Sequence, residues 1–295
     1  MSATVDTRDA GAVCEVLERA AETLLGVPNR EGSTVRLGDR GTFTLTGDLH
    51  DNPIHLQKIR RLARLGDAPD RHLLLHELIH GDRLVNGLDL SYRVLCRVAE
   101  LVTAFPGQVH PVLANHELSQ MLGIGVSKGA GDSTRLFNDG LEFVFGDDAE
   151  SVAASIGSFF RAMPLAVRTA NGLFCAHSLP SPEGLTRFDR GVFDRALVDA
   201  DYRSPGGSAY LMTWGRGQNA AQVDSLAKTL GVELFVVGHA HSDAGAHSVT
   251  PRMVVLNSDH ERGRAVTVDL AEPCPTADDL VLASLPLVAI EDPGS

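Results

Sequence analysis

Residues 42–52 read TFTLTGDLHDN: an apolar, β-branched run breaks on a glycine and at once places a carboxylate, Asp48, and an imidazole, His50, two positions apart. Side chains alternate along a strand with a period of two, so the pair can be aimed at one point where the strand gives way to a turn. The pattern recurs along the chain. VHPVLANHE (109–117) delivers Asn115 and His116, LFCAHS (173–178) delivers His177, and LFVVGHAHS (234–242) delivers His239 and His241, again two apart. Each string alone arises readily by chance. Together they bring nitrogen and oxygen ligands from separate strand ends, as a site on the rim of a sheet requires.

The stretches between these strings supply the scaffold. Val13, Val16, Leu17, Ala20 and Leu24 recur at helical spacing and predict an N-terminal helix over 10–26. TVRL (34–37) and TFTLT (42–46) read as strands joined by a Gly38–Gly41 turn, and Pro53 suits the first turn of a helix running to about Leu65. Leu73–Leu75 predict a buried strand, followed by an amphipathic helix through Leu90, Val94, Val98 and Val102. The Gly- and Asp-rich residues 117–150 predict a loop with short helices, and Val152, Ile156, Phe159 and Phe160 a helix over 148–162. Strands are expected at 165–169, 172–176, 233–237, 252–256 and 265–269, with helices near 190–200 and 219–230. Alternation of strand and helix, then a strand-rich second half, predicts an α/β fold of two packed mixed sheets flanked by helices. No linker or shift of composition divides the chain. The expectation is one domain over 1–270 and an acidic, proline-containing surface tail over 271–295.

The 295 residues are 43% hydrophobic and carry a formal net charge of −12. That balance argues against nucleic acid, whose binders neutralise phosphates with Lys and Arg. It does not exclude a phosphate substrate, because bound cations invert the local sign. Cys14, Cys96, Cys175 and Cys274 show no C-x-x-C spacing, which suggests free thiols in a reducing compartment. The N-terminus lacks a basic start and apolar core, and no long apolar run is present, so no membrane is expected and cytoplasm is the default location. Nothing in the sequence sets an oligomeric state.

A dinuclear hydrolytic centre needs one carboxylate shared by two ions about 3.5–4 Å apart, with nitrogen and oxygen ligands completing each. Asp48, His50, Asn115, His177, His239 and His241 provide such ligands. The chain resembles the calcineurin-like metallophosphoesterases over residues 43–260, and within them the protein Ser/Thr phosphatase and bacterial diadenosine-tetraphosphatase branch. FFRAMPLAVRTANGLFCAHSLPSPEG (159–184) and YLMTWG (210–215) extend the likeness. The resemblance implies an αββα sandwich and two divalent ions, Mn, Fe or Zn. It implies that Asp48, His50 and His241 hold the first ion and Asn115, His177 and His239 the second. It further implies a metal-bound hydroxide as nucleophile and His116 as the general acid that protonates the leaving oxygen. The implied reaction is hydrolysis of a phosphomonoester on a phosphoprotein or a small phosphorylated or nucleotide substrate.

One segment departs from the family pattern. Where the branch carries Gly-Asp and, further on, Asp-Arg, this chain reads LLLHELIHGDR (73–83). His76-Glu77 replaces Gly-Asp, and His80-Gly81 replaces Asp-Arg. Glu77 can still bridge the ions, one methylene longer; His80 is a poor copy of the Asp that orients the general acid. A phosphate-binding Arg is missing, and Leu113 stands where another is usual, so Arg83, Arg187 and Arg216 become the candidates for that contact. A metal-binding pseudophosphatase with a regulatory role is the alternative these departures raise. HELIH is also the zincin string H-E-x-x-H, with His76 and His80 as ligands and Glu77 as base. That reading requires 73–83 to be helical, and it leaves GDLH, ANHE and GHAH unexplained. Asn257–His260 and Trp214 read as a turn and a pocket wall, and the Gly-rich 123–133, with Lys128, as a flexible loop without the P-loop ending.

Overall fold

Capping residues and turn glycines set most element boundaries. The structure, a computed structural model, describes residues 4–125, 127–128 and 131–291, the side chains of 127 and 128 excepted. Helix α1 (Ala10–Leu25) starts at Asp9, whose side chain accepts from the Ala12 N–H. Strands β1 (Arg30–Glu31), β2 (Thr34–Leu37) and β3 (Thr42–Leu45) follow. Helix α2 (Pro53–Ala63) is capped by Asn52 and opens on its proline as expected. Strand β4 (Arg71–Leu75), helix α3 (Tyr92–Ala104) and strand β5 (Val109–Pro111) come next. Then come helices α4 (Asn115–Leu122), α5 (Ser133–Phe145) and α6 (Ala149–Ala162), and strands β6 (Ala166–Thr169) and β7 (Leu173–Ala176). The second half adds helices α7 (Asp199–Tyr202), α8 (Ser208–Trp214) and α9 (Ala220–Leu230) and strands β8 (Leu234–Val237), β9 (Ala246–Thr250), β10 (Met253–Leu256) and β11 (Arg264–Asp269). Helix α10 (Ala277–Ala283) and strand β12 (Leu285–Pro286) close the described chain.

Among the described residues, beside two short two-stranded ribbons, the two large sheets have the orders β1-β2-β6-β7-β8-β10-β9 and β12-β11-β3-β4-β5. Both are mixed: β2 and β6, β7 and β8, β8 and β10, β3 and β4, and β4 and β5 run parallel. Period-two alternation packs the sheets face to face. Phe43, Leu45, Leu74, Leu173, Cys175, Leu234, Val236, Val254 and Leu256 fill the space between them. Their neighbours Leu73, Leu75, Phe174, Phe235 and Val255 turn outward into the core that the helices cover. The result is the expected αββα sandwich.

Several local expectations need correction. The alternative that needed a helical HELIH string falls, while the buried strand expected at Leu73–Leu75 forms: β4 ends at Leu75, and His76 makes a parallel bridge with Asp48. Pairing of β4 between β3 and β5 fixes this segment as strand, which removes the zincin geometry. Residues 117–150 are mostly helix rather than loop. Asp132 is a cap that accepts from the Thr134 and Arg135 N–H groups, and Gly140 lets α5 approach the Asp89 carbonyl, where a Cβ would stand 2.3 Å away. Part of the 123–133 stretch lies outside the described residues. Over 190–200 only a short 3₁₀ turn and α7 form. Beyond 271, Ala277, Leu280 and Leu287 are buried and β12 pairs with β11, so this segment is packed down rather than a loose tail. All four cysteines are free, and no helix among the described residues is long and apolar enough to cross a membrane.

Candidate metal centre

The site forms where the C-terminal ends of strands from both sheets meet. Asp48 follows β3 and makes parallel bridges to His76, after β4, and to Asn257, after β10. That double bridge ties one sheet to the other at the carboxylate. Glu77 follows His76, Asn115 opens α4 beyond β5, His177 directly follows β7, and His239 follows β8 after Gly238. The turns are tight. Of the seven non-glycine residues with positive φ among the described residues, His50, Asp51, Glu77, His80 and His239 all lie here. Left-handed backbone costs about 1–3 kcal/mol per residue and is held only where the surroundings over-determine it. The loop at 49–51 runs against the loop at 76–78, with the His50 and Asp51 N–H groups donating to the Glu77 and Leu78 carbonyls at 2.8 and 3.0 Å.

Three groups of side chains converge closely enough to hold a cation: Asp48, His76 and His177; His50, Glu77 and His116; and Glu77, His177 and His239. Glu77 is shared by the last two groups, and His177 by the first and third. The Glu77 Oε2 lies 3.6 Å from both His50 Nε2 and His177 Nε2, and its Oε1 lies 3.4 Å from His116 Nε2. Asn115 Oδ1 stands 2.7 Å from His177 Nε2 and 2.9 Å from His239 Nδ1. Asp48 accepts the His239 backbone N–H through both oxygens, at 2.9 and 3.0 Å. The His50 Nδ1–H donates to the Ile79 carbonyl at 3.2 Å, which turns the lone pair of Nε2 toward Glu77.

The electrostatics suit divalent metal. Burial pushes His76 and His239 down to about 3 and holds His177 well below the ordinary range, where neighbouring imidazoles push it further. Neutral rings with lone pairs are what a metal needs. Buried polar atoms without a hydrogen-bond partner concentrate here, among them both nitrogens of His76 and Nδ1 of His177. Carboxylate, amide oxygen and imidazole together fit Mn, Fe or Zn rather than an all-oxygen cage for calcium. The donor set therefore fits the implied ions.

Most residues anticipated from sequence gather at one cleft of about 360 Å³, lined by Asp48, His50, Glu77, Asn115, His116 and His239 together with Trp214, Arg216, His241, Asn257 and Asp259. His177 lies behind them, fully buried. His241 is at the rim but outside every ligand group: its side chain is 70% exposed and Nε2 is 2.9 Å from Asp243 Oδ1. Arg216 donates to the His239 carbonyl at 3.0 Å and reaches the cleft. Arg83 is not among the lining residues and instead pairs with Asp51 at 3.3 Å, and Arg187 is exposed outside the cleft. His76 is the residue that sequence reasoning overlooked as a member of this centre. Its signal was available: a histidine directly after a run of three leucines, at a strand end like the others.

A model of a family described as calcineurin-like phosphoesterase matches residues 41–243. Among solved structures, a protein serine/threonine phosphatase from Saccharomyces cerevisiae with similarity to human phosphatase PP5 superposes with a TM-score of 0.65 at 15% identity, covering 88% of this chain and 83% of that one. A cold-active protein-tyrosine phosphatase of a psychrophilic Shewanella superposes with a TM-score of 0.54 at 14% identity, covering 87% of this chain and 84% of that one. At such identities the likeness is one of fold. No curated protein matches the chain.

Proposed function

Because this chain belongs to the calcineurin-like phosphoesterase family, we propose that it hydrolyses phosphomonoesters with the help of two divalent ions held at the joined ends of its sheets. The observation that carries this reading is Glu77, whose carboxylate spans the His50 group on one side and the His177–His239 group on the other. When bound, the ions supply Lewis-acid polarisation of the phosphoryl oxygens and a nucleophile from water at neutral pH. Asp48 and His50 would hold one, and Asn115, His177 and His239 the other, with Glu77 shared.

His116 is the proposed general acid. Its Nδ1 lies 3.0 Å from His80 Nδ1, and His80 Nε2 lies 3.1 Å from Gln120 Oε1. Gln120 in turn donates its amide to Asn138 Oδ1 at 2.7 Å, which leaves its oxygen to accept from His80. His80 then accepts from the His116 Nδ1–H, and His116 Nε2 is left facing Glu77 at the cleft, where a leaving oxygen would take the proton. Arg216, which lines the cleft with Trp214, would steer a phosphate, whereas Arg83 is engaged with Asp51. The substrate is a phosphoprotein or a small phosphorylated or nucleotide compound.

The test is turnover of p-nitrophenyl phosphate. With Mn²⁺ added, hydrolysis rises above blank, is abolished by a chelator and returns when metal is restored. His116→Asn lowers kcat by at least about tenfold, the lower part of a general acid's usual contribution. Absence of turnover with each of Mn²⁺, Fe²⁺ and Zn²⁺ would overturn the proposal in favour of a pseudophosphatase.

A further inference from the structure

His76 has no part in the reaction outlined above, yet it is fully buried at the heart of the centre with neither ring nitrogen hydrogen-bonded. Leaving a buried polar atom unsatisfied costs about 1–3 kcal/mol, so a retained imidazole in that state points to a ligand it was built to meet. Its surroundings supply one. One nitrogen of His76, one oxygen of Asp48 and one nitrogen of His177 lie within 4.8 Å of each other. His177 uses Nε2 toward Asn115; its other nitrogen, Nδ1, is unpartnered and 3.6 Å from Asp48 Oδ1. The space between them is kept open by a glycine. A Cβ at Gly238 would stand 2.2 Å from Asp48 Oδ1 and 3.3 Å from His76 Nδ1.

We infer that Asp48, His76 and His177 form an inner cation position, deeper than the cleft, in which His76 supplies the imidazole that the exposed His241 does not. Two imidazoles and a carboxylate make an N, N, O set that suits Zn or Fe and is poor for Mg or Ca, which demand more oxygen ligands. Ligation satisfies one nitrogen of His76 and the orphaned Nδ1 of His177 together. For His177 to serve the inner position through Nδ1 and the Asn115–His239 group through Nε2, its remaining ring proton would be released to solvent on metal binding, since only deprotonated nitrogens ligate.

This inference rests on the metal-bearing reading of the site, and the experiment separates the two. Full-length wild type, His76→Ala and His241→Ala are loaded with Zn²⁺ or Co²⁺, freed of excess, and assayed for bound metal by mass spectrometry and for the visible absorption of bound Co²⁺. His76→Ala is expected to lose about one equivalent, or to bind it at least about tenfold more weakly, the least that even an outer-shell partner contributes. Its Co²⁺ spectrum changes, whereas His241→Ala retains the wild-type stoichiometry within experimental error. A His76→Ala protein with wild-type metal content and spectrum overturns the inference. Should that variant fail to fold, anomalous scattering from Zn-loaded wild-type crystals decides. A zinc peak about 2.0–2.1 Å from a His76 nitrogen supports the inner position, and zinc peaks elsewhere with none near His76 overturn it. A wild type that binds no first-row metal would sink the phosphoesterase proposal as well, whereas metal bound without His76 sinks this inference alone.

Discussion

The proton proposed for His116 would be oriented by His80 and Gln120, where the family resemblance leads one to expect a carboxylate. His80 was legible in the sequence only as a poor substitute for that carboxylate. Its second partner was not, because Gln120 becomes relevant only once α4 is known to begin at Asn115, which puts Gln120 four residues beyond His116 on the same face. A neutral ring can accept one hydrogen bond and fix a tautomer, but it adds no countercharge when His116 is protonated. His80→Ala should therefore lower kcat by about tenfold with KM within about twofold, the signature of an interaction felt mainly in the transition state. His80→Asp should keep kcat within about threefold of wild type, because a carboxylate can take over the same hydrogen bond. Steady-state kinetics with p-nitrophenyl phosphate and Mn²⁺ checks both. Equal losses in the two variants would mean that His80 merely fills space.

The strand end is the element on which this site is built, and it is also what made the centre readable. Apolar runs announced β3, β7 and β8, and the residues that follow them fell where the sheet needs ligands. Segment 73–83 resisted because three leucines before HELIH fit a strand or a helix equally well. The order of the other ligand strings favoured a strand there, and pairing of β4 between β3 and β5 bears it out. Helix α5 was hidden for a different reason: Asp132 and Gly140 looked like loop residues but serve as a cap and a close contact, whereas α6 announced itself by its apolar spacing. Strand ends also carry a measurable packing demand. At Gly47, between β3 and Asp48, a Cβ would sit 1.8 Å from the Leu256 carbonyl, a backbone atom that cannot swing aside. Gly47→Ala should cost about 2–4 kcal/mol by urea unfolding, in the range of strained or overpacked positions. Gly38→Ala, where a Cβ meets nothing within 4 Å, should stay within about 0.5 kcal/mol of wild type. A tolerated Gly47→Ala would show that the two sheets are not pressed together at the metal centre.

Across the whole molecule the buried imidazoles couple folding to pH, and one of them lies far enough from the cleft to be read without metal. His110, on β5, is fully buried, stands edge-on to Phe43 at a centroid distance of 6.3 Å and lies 3.2 Å from His72 Nδ1 through its Nε2. Burial, aided by His72, holds its ring down to about 3. In the unfolded chain the same ring titrates near its ordinary value of about 6.5. Below that pH the unfolded state takes up a proton that the native state refuses, so the contribution of His110 to stability is whole above about 6.5 and falls as pH drops toward 3. One proton corresponds to about 1.4 kcal/mol per pH unit, or roughly 2–3 kcal/mol between pH 6 and pH 4. His110→Leu keeps an apolar side chain at the position and removes the titration. Urea unfolding of metal-stripped wild type and variant, both in chelator, isolates this group, because His76, His177 and His239 are common to the two and cancel. The variant should start less stable at pH 8, having left His72 without its partner, and should lose less stability than wild type on acidification, so the two curves converge or cross by about pH 4. Curves that stay parallel down to pH 4 would mean that the ring reaches water and protons in the folded protein, and that the space between the sheets at β5 is open.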